Sequence, residues 1–149
     1  MQATFRCAAP ADLELLLIFN REFCALDQHP FDEEALRPAI DRLLRDESLG
    51  RIWLIQDGTQ AIGYMVLAFG YSLEYRGRDA FVDEIYIRES HRRRGIGTQA
   101  FAFLERACRD LGVRALHLEV EHRNSAAQQF YHTVGFYDQE RHLMTRLLG

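Results

Sequence analysis

Three arginines, Arg92, Arg93 and Arg94, stand directly before Gly95-Ile96-Gly97-Thr98, which runs into helix-forming sequence. A helix start leaves its first backbone N–H groups without intrahelical partners, and the helix dipole adds partial positive charge, so such a junction favours an anion. Glycines at 95 and 97 carry no Cβ to hold a ligand away from the backbone. Guanidinium groups supply bidentate donors at the rim. This chemistry suits a pyrophosphate better than a carboxylate; the bland alternative is a solvated basic turn with two glycines, because short glycine motifs recur by chance. A Walker A loop is excluded, since no lysine follows Gly97. A dinucleotide fingerprint fits in part: Gly95-x-Gly97-x-x-Ala100 matches, and Glu119 or Glu121 follows at the right distance. However, polar and charged residues separate Ile87 from Gly95, and a paired second half is missing.

The elements that must position this loop belong to one ordinary domain, residues 1–149, with 48% apolar residues to build its core. A formal net charge of -4 argues against a nucleic-acid partner, which needs a broad basic face. Cys7, Cys24 and Cys108 are odd in number and lack C-x-x-C spacing, so neither a disulfide framework nor a thiolate metal site is expected. The six histidines show no H-x-x-x-H or H-E-x-x-H spacing, and surface or capping roles are expected of them. No secretory pattern opens the sequence and no apolar run reaches membrane length, which predicts a cytoplasmic protein without a membrane partner.

Along the chain, residues 4–7 read as a short strand, and Pro10 and Asp12 open a helix whose spacing continues through Leu13, Leu16, Leu17 and Asn20. Asp32, Glu33 and Glu34 start a second helical region in which Pro38 predicts a kink or two short helices, with Ile40, Leu43 and Leu44 as its buried stripe. Strand periodicity follows over residues 51–56 and 60–69 around the Asp57-Gly58 turn, and over 80–87 after a turn at Gly77-Arg78. The quoted loop then leads into a helix with Phe101, Leu104, Cys108 and Leu111 on one face and Gly112 as its stop. Leu116, Leu118 and Val120 alternate as in a strand. Asn124 caps a helix that ends at Gly135, and residues 137–148 read as a last strand. The class is a mixed α/β sheet with helices on both faces.

The conjunction of motifs resembles the Gcn5-related N-acetyltransferase family. Arg92-Arg93-Arg94-Gly95-Ile96-Gly97 matches its Q/R-x-x-G-x-G/A loop, DEIYI resembles its fourth strand, and Asn124-x-x-Ala127-x-x-x-Tyr131-x-x-x-Gly135-Phe136 its later helix. Arg6-x-Ala8-x-x-x-Asp12 is similar to the start of many members. The resemblance implies a twisted, mostly antiparallel sheet of about six to seven strands flanked by about four helices, with two central strands splayed. It also implies acetyl-CoA as acetyl donor, its pyrophosphate gripped by the loop from Arg92 to Thr98, and no metal.

Acetyl transfer to an amine needs a base, because an alkyl amine with pKa about 10.4 is neutral only to roughly one part in a thousand near pH 7. Glu84, on the strand before the loop, is the candidate base; in a regular strand Asp83 points to the other face, and a bulge would reverse the two. In the family the tyrosine matching Tyr131 protonates the departing thiolate and the asparagine matching Asn124 binds the pantetheine arm. A backbone N–H among Ile85, Tyr86 and Ile87 would polarise the thioester carbonyl. Core packing is the expectation for Cys108. Residues 71–87 also look like the polyamine and diamine acetyltransferase subgroup, with the acidic pair in reversed order. A small cationic amine is the favoured acceptor, peptide amines stay open, and an exposed last strand would allow a homodimer. The alternatives are a non-catalytic acyl-CoA-binding module of the same fold and a dinucleotide-binding protein.

Overall fold

The computed structural model describes residues 1–149, which divide into two compact units, Met1–Glu119 and Val120–Gly149. In the first unit, strands β1 (Thr4–Cys7), β2 (Gly50–Asp57), β3 (Gln60–Ser72), β4 (Gly77–Ile87) and β5 (Ala115–His117) form one sheet in that spatial order. The first four are antiparallel neighbours, and β5 runs parallel to β4. Helices α1 (Leu13–Asp27), α2 (Glu33–Arg45) and α3 (Ile96–Asp110) complete this unit, and α4 (Ser125–Thr133) lies in the second. No helix is long and apolar enough to cross a membrane.

Alternation along β2 divides the core into two layers. Ile52 and Leu54 pack with Leu16 and Phe19 of α1 and with Tyr64, Val66 and Tyr86 of the neighbouring strands. Trp53, pointing the other way, meets Phe103 of α3 with ring centroids 5.5 Å apart, and Phe5 of β1 stacks on the same ring at 4.8 Å. Helices therefore cover both faces of the sheet. The Arg6-x-Ala8-x-x-x-Asp12 spacing has a local cause: Asp12 accepts both Arg6 guanidinium nitrogens at 3.0 Å and the Ala9 amide at 2.7 Å, which fixes the step from β1 into α1.

Several expectations change. The sheet has five strands, fewer than six to seven. β5 stops at His117 instead of continuing to Val120, and residues 137–148 form no strand. A strand needs a ladder partner for its backbone, and the alternation at Leu118 and Val120 finds none. β4 starts at Gly77, inside the expected turn, which falls earlier, with Arg76 at φ 62°. α2 is one helix through Pro38. The proline sits early, so the missing N–H deprives the Glu34 carbonyl of its helical donor, while Asp32 caps the N-terminus by accepting from the Ala35 amide at 3.2 Å. Arg37 pairs with Glu33 on α2 and Glu14 on α1, bracing the helix beside that gap.

Gly63 on β3 faces Ile87 across the ladder, and a Cβ there would overlap the Tyr86 carbonyl oxygen. Gly63→Ala must push β3 away from the end of β4 and should cost about 1–3 kcal/mol. Urea denaturation should show a lower midpoint at unchanged m-value.

Candidate active site

Two irregularities in β4 create the site. Leu67 of β3 pairs with Val82 and Val66 with Glu84, so Asp83 is an extra residue with no β3 partner. Across the other edge, pairing with β5 runs only from Asp79↔Ala115 to Phe81↔His117, and β4 continues to Ile87 without β5. The Arg88 amide donates to the Ile62 carbonyl at 2.8 Å. By the alternation of an antiparallel ladder, the Tyr86 amide then faces β3, and those of Ile85 and Ile87 face the open side. Of the three expected carbonyl-polarising residues, Ile85 and Ile87 thus have amides turned outward.

The bulge brings Asp83 and Glu84 to one groove instead of opposite faces. Glu84 Oε1 accepts the Tyr64 hydroxyl at 2.7 Å and Asn20 Nδ2 at 2.9 Å. Asn20 Nδ2 also donates to the Tyr64 oxygen at 3.1 Å, and its Oδ1 accepts the Cys24 thiol at 3.3 Å. Burial raises the Glu84 pKa; the two donated hydrogen bonds oppose that rise, and Asp83 and Asp27 add to it. Partial desolvation beside the groove raises Asp83 as well, although the residue keeps an exposed edge. Burial, with Glu84 adjacent, pushes the Tyr64 hydroxyl far above its ordinary range, so it acts as a donor. Asn20 and Tyr64 are partners of Glu84 that motif reasoning missed. Their trace in the sequence is a polar Asn inside the α1 stripe of Leu16, Leu17 and Phe19, where an amide is buried only when partnered.

The groove encloses about 680 Å³ between α1, α2 and β4. Its lining carries the carboxyl groups of Asp27, Asp32, Asp83, Glu84 and Glu119, together with Phe23, Phe31 and Phe81, and neither Lys nor Arg. Such a surface attracts a cation and repels an anion.

At the end of β4 the chain passes a 3-10 turn, Glu89–His91, into the arginine–glycine loop. Arg93 and Gly95 take left-handed backbone angles, φ 63° and 75°, and Gly95 is the N-cap of α3. The amides of residues 93–98 have no acceptor within the protein; the next, that of Gln99, bonds the Gly95 carbonyl at 3.2 Å. Such a row of free donors at a helix N-terminus can cradle an anion. Arg93, Arg94 and Thr98 are exposed, and Ile96 is buried as the anchor of the helix. Arg92 is committed differently from a free rim donor: its Nε donates to the Ile87 carbonyl at 2.7 Å, and its guanidinium lies 5.7 Å from the Tyr86 ring centre.

The cradle is tethered at two further points. Glu22 of α1 accepts Arg88 Nε at 3.0 Å, Arg88 Nη2 at 2.8 Å and the Tyr86 hydroxyl at 2.8 Å. Hydrogen bonding from Arg88 holds the Glu22 carboxyl below its usual range, whereas burial and Glu22 push the Tyr86 hydroxyl up to about 12. His91 Nε2 lies 3.2 Å from Asp57 Oδ2 on the β2–β3 turn, and its Nδ1 lies 2.8 Å from Ser90 Oγ. His117 and His132 likewise meet Asp79 and Asp138, so these histidines fasten loops and strand ends. The Cys108 thiol is buried and pushed up to about 11 by that burial. No group of three or more His, Cys, Asp or Glu side chains is arranged to hold a metal ion.

In the second unit, Asn124 caps α4 by accepting the Ala127 amide at 3.1 Å. Tyr131, one face along the same helix, is half-buried, with ring centroids 5.6 Å from Phe130 and 6.1 Å from Phe136.

Known proteins are similar to this chain in sequence and fold. The uncharacterized N-acetyltransferase YycN of Bacillus subtilis is 34% identical over 65 residues, 44% of this chain and 42% of its own. The thialysine N-epsilon-acetyltransferase of Bos taurus is 30% identical over 81 residues, 54% of this chain and 47% of its own. The matches thus span less than half the length of these curated relatives. Among solved structures, an integron cassette protein from the mobile metagenome of Cole Harbour Salt Marsh is 35% identical, with TM-score 0.87 over 97% of this chain and 90% of the other. The aminoglycoside N-acetyltransferase AAC(6')-Iy shares the fold at 19% identity, with TM-score 0.80 over 98% of this chain and 95% of its own. The acetyltransferase (GNAT) family profile matches residues 14–136, and by that match the chain belongs to the GNAT acetyltransferase family.

Proposed function

We propose that this chain is an acetyl-CoA-dependent N-acetyltransferase, a single domain over residues 1–149 that acts on a small cationic primary amine by direct attack in a ternary complex. One observation carries the reading: β4 bears the half-buried Glu84 over a carboxylate-lined groove and leads, through one 3-10 turn, to the unpaired amides of residues 93–98. The bovine relative that acetylates the N-epsilon amine of thialysine supports an amine acceptor.

When bound, acetyl-CoA supplies an acetyl group activated as a thioester. The amides of residues 93–98, with Arg93 and Arg94 beside them, hold its pyrophosphate. The acidic groove draws in the acceptor as an ammonium ion. Glu84 takes the ammonium proton, directly or through water, and its raised pKa makes it a better base than an exposed carboxylate. The freed lone pair forms the new C–N bond as the C–S bond breaks. An outward amide of Ile85 or Ile87 donates to the carbonyl oxygen as it gains charge. The Tyr131 hydroxyl protonates the departing sulfur, and the second proton that nitrogen sheds as the amide forms returns to the Tyr131 oxygen through water. Direct attack agrees with Cys108, whose buried thiol is too weakly acidic to carry an acyl group.

Acetyl-CoA should raise the melting temperature in step with RT ln(1 + [L]/Kd), whereas NAD and FAD should not. Gly97→Asp places a carboxylate in the cradle and should abolish the acetyl-CoA shift while the fold survives; a normal shift would show that the loop is not the donor site.

Tyr131→Phe should lower kcat by about 10²-fold or more with little change in acetyl-CoA KM, checked by a thiol-release assay over a panel of amines. In the same assay the acid limb of the kcat/KM profile belongs to Glu84. Tyr64→Phe removes a hydrogen bond that favours the carboxylate, and should move that limb to higher pH.

Glu84→Gln should separate rate from stability. The folded Glu84 pKa lies above its unfolded value, so the native protein binds that proton more tightly, and wild-type stability falls as pH rises between the two values. At pH 7.5 Glu84→Gln should therefore melt at a higher temperature than wild type, an advantage that vanishes by about pH 4, while kcat drops about 10²–10⁴-fold.

A further inference from the structure

Beneath α2 lies a second cavity of about 120 Å³ that adjoins the groove. The two share Asn20, Leu36, Ala39, Asp83 and Glu84, and the smaller one extends between Ile40 and Leu43 of α2 and Ile52 and Val66 of the sheet. The gap has a cause in the helix itself. α2 contributes no fully buried side chain, so Ile40 and Leu43 only partly cover the sheet face that Leu16, Ile52 and Val66 present.

The cavity's polar atoms sit at the groove end. Asn20 Nδ2 and the Tyr64 hydroxyl are already spent on Glu84. The far end offers only aliphatic carbon, and a water there would lack the two to four polar partners it needs. Apolar cavities of roughly 150 Å³ stay dry and take up a benzene-sized molecule. This one, at about 120 Å³, has room for about four to six carbons.

Resting on the acetyltransferase reading, we propose that the cavity under α2 is a specificity pocket for an apolar substituent of about four to six carbons on the acceptor amine, whose ammonium group sits at Asp83 and Glu84. The acceptor is thereby a primary amine with one charged end and one hydrocarbon end. The carboxylates recognise the charge, and the pocket measures the tail.

The test is a series of linear n-alkylamines from ethylamine to octylamine, with spermidine as a polar comparison, assayed for kcat/KM with acetyl-CoA and for thermal shift with the amine alone. Each methylene taken out of water should strengthen binding about fourfold. Both readouts should climb with chain length to about butylamine or hexylamine and then level off or fall. Ala39→Phe and Leu36→Phe, made separately, each fill the cavity from α2 and should flatten the climb by about tenfold or more at hexylamine relative to ethylamine. Turnover of amines without dependence on chain length, or a dependence that both substitutions leave in place, overturns the pocket and leaves the acetyltransferase reading standing. Failure to acetylate any amine, spermidine included, overturns both.

Discussion

Because β3 offers no residue opposite Asp83, β4 exchanges the faces of its side chains at that point, so that Glu84 and Tyr86, and not Ile85, look toward α1. Everything distinctive about the site follows from this reversal. Glu84 comes within reach of Asn20 and Tyr64, Tyr86 within reach of Glu22, and Asp83 stays at the groove beside its neighbour. A regular ladder would bury one carboxylate among the aliphatic side chains of the other layer. The bulge spends one residue of pairing to avoid that.

The reversed strand places a charge where water is scarce. Burial opposes the ionised Glu84, two donated hydrogen bonds support it, and burial prevails. The result is a carboxylate with a raised affinity for protons, held by two hydrogen-bond donors. Glu22, on α1, is the counter-example: with Arg88 against it, its carboxyl stays ionised and serves as a strut. Two glutamates, one on α1 and one on β4, look alike by composition. What separates them is whether a guanidinium or only neutral donors reach them.

Local patterns made much of this legible. Apolar spacing marked α1 and α3, alternation marked β2 and β3, Asn124 and Gly135 bracketed α4, and the arginine–glycine run marked the entry to a helix, which begins two residues earlier than expected, at Ile96 instead of Thr98. What was not legible depends on distant partners. The alternation at Leu118 and Val120 carries β-propensity but cannot announce that no ladder forms. Pro38 argues for a break, and only the bracing by Glu14 and Glu33 and the cap at Asp32 show why α2 runs through. Asn20 stood in view as a polar residue on an apolar stripe, but its partners on β3 and β4 are far away in sequence. The groove is likewise a product of tertiary contact, since α1, α2 and β4 each supply only part of its wall.

The looseness of α2 has a bearing on how such a protein changes over generations. No side chain of this helix is fully buried, whereas the arginine–glycine loop is fastened through Arg88 to α1, through Arg92 to β4 and through His91 to the β2–β3 turn. Replacements along the inner face of α2 reshape the chamber at modest thermodynamic risk and leave the fastened loop undisturbed. The scaffold therefore divides into a half free to drift toward new small molecules and a half that cannot.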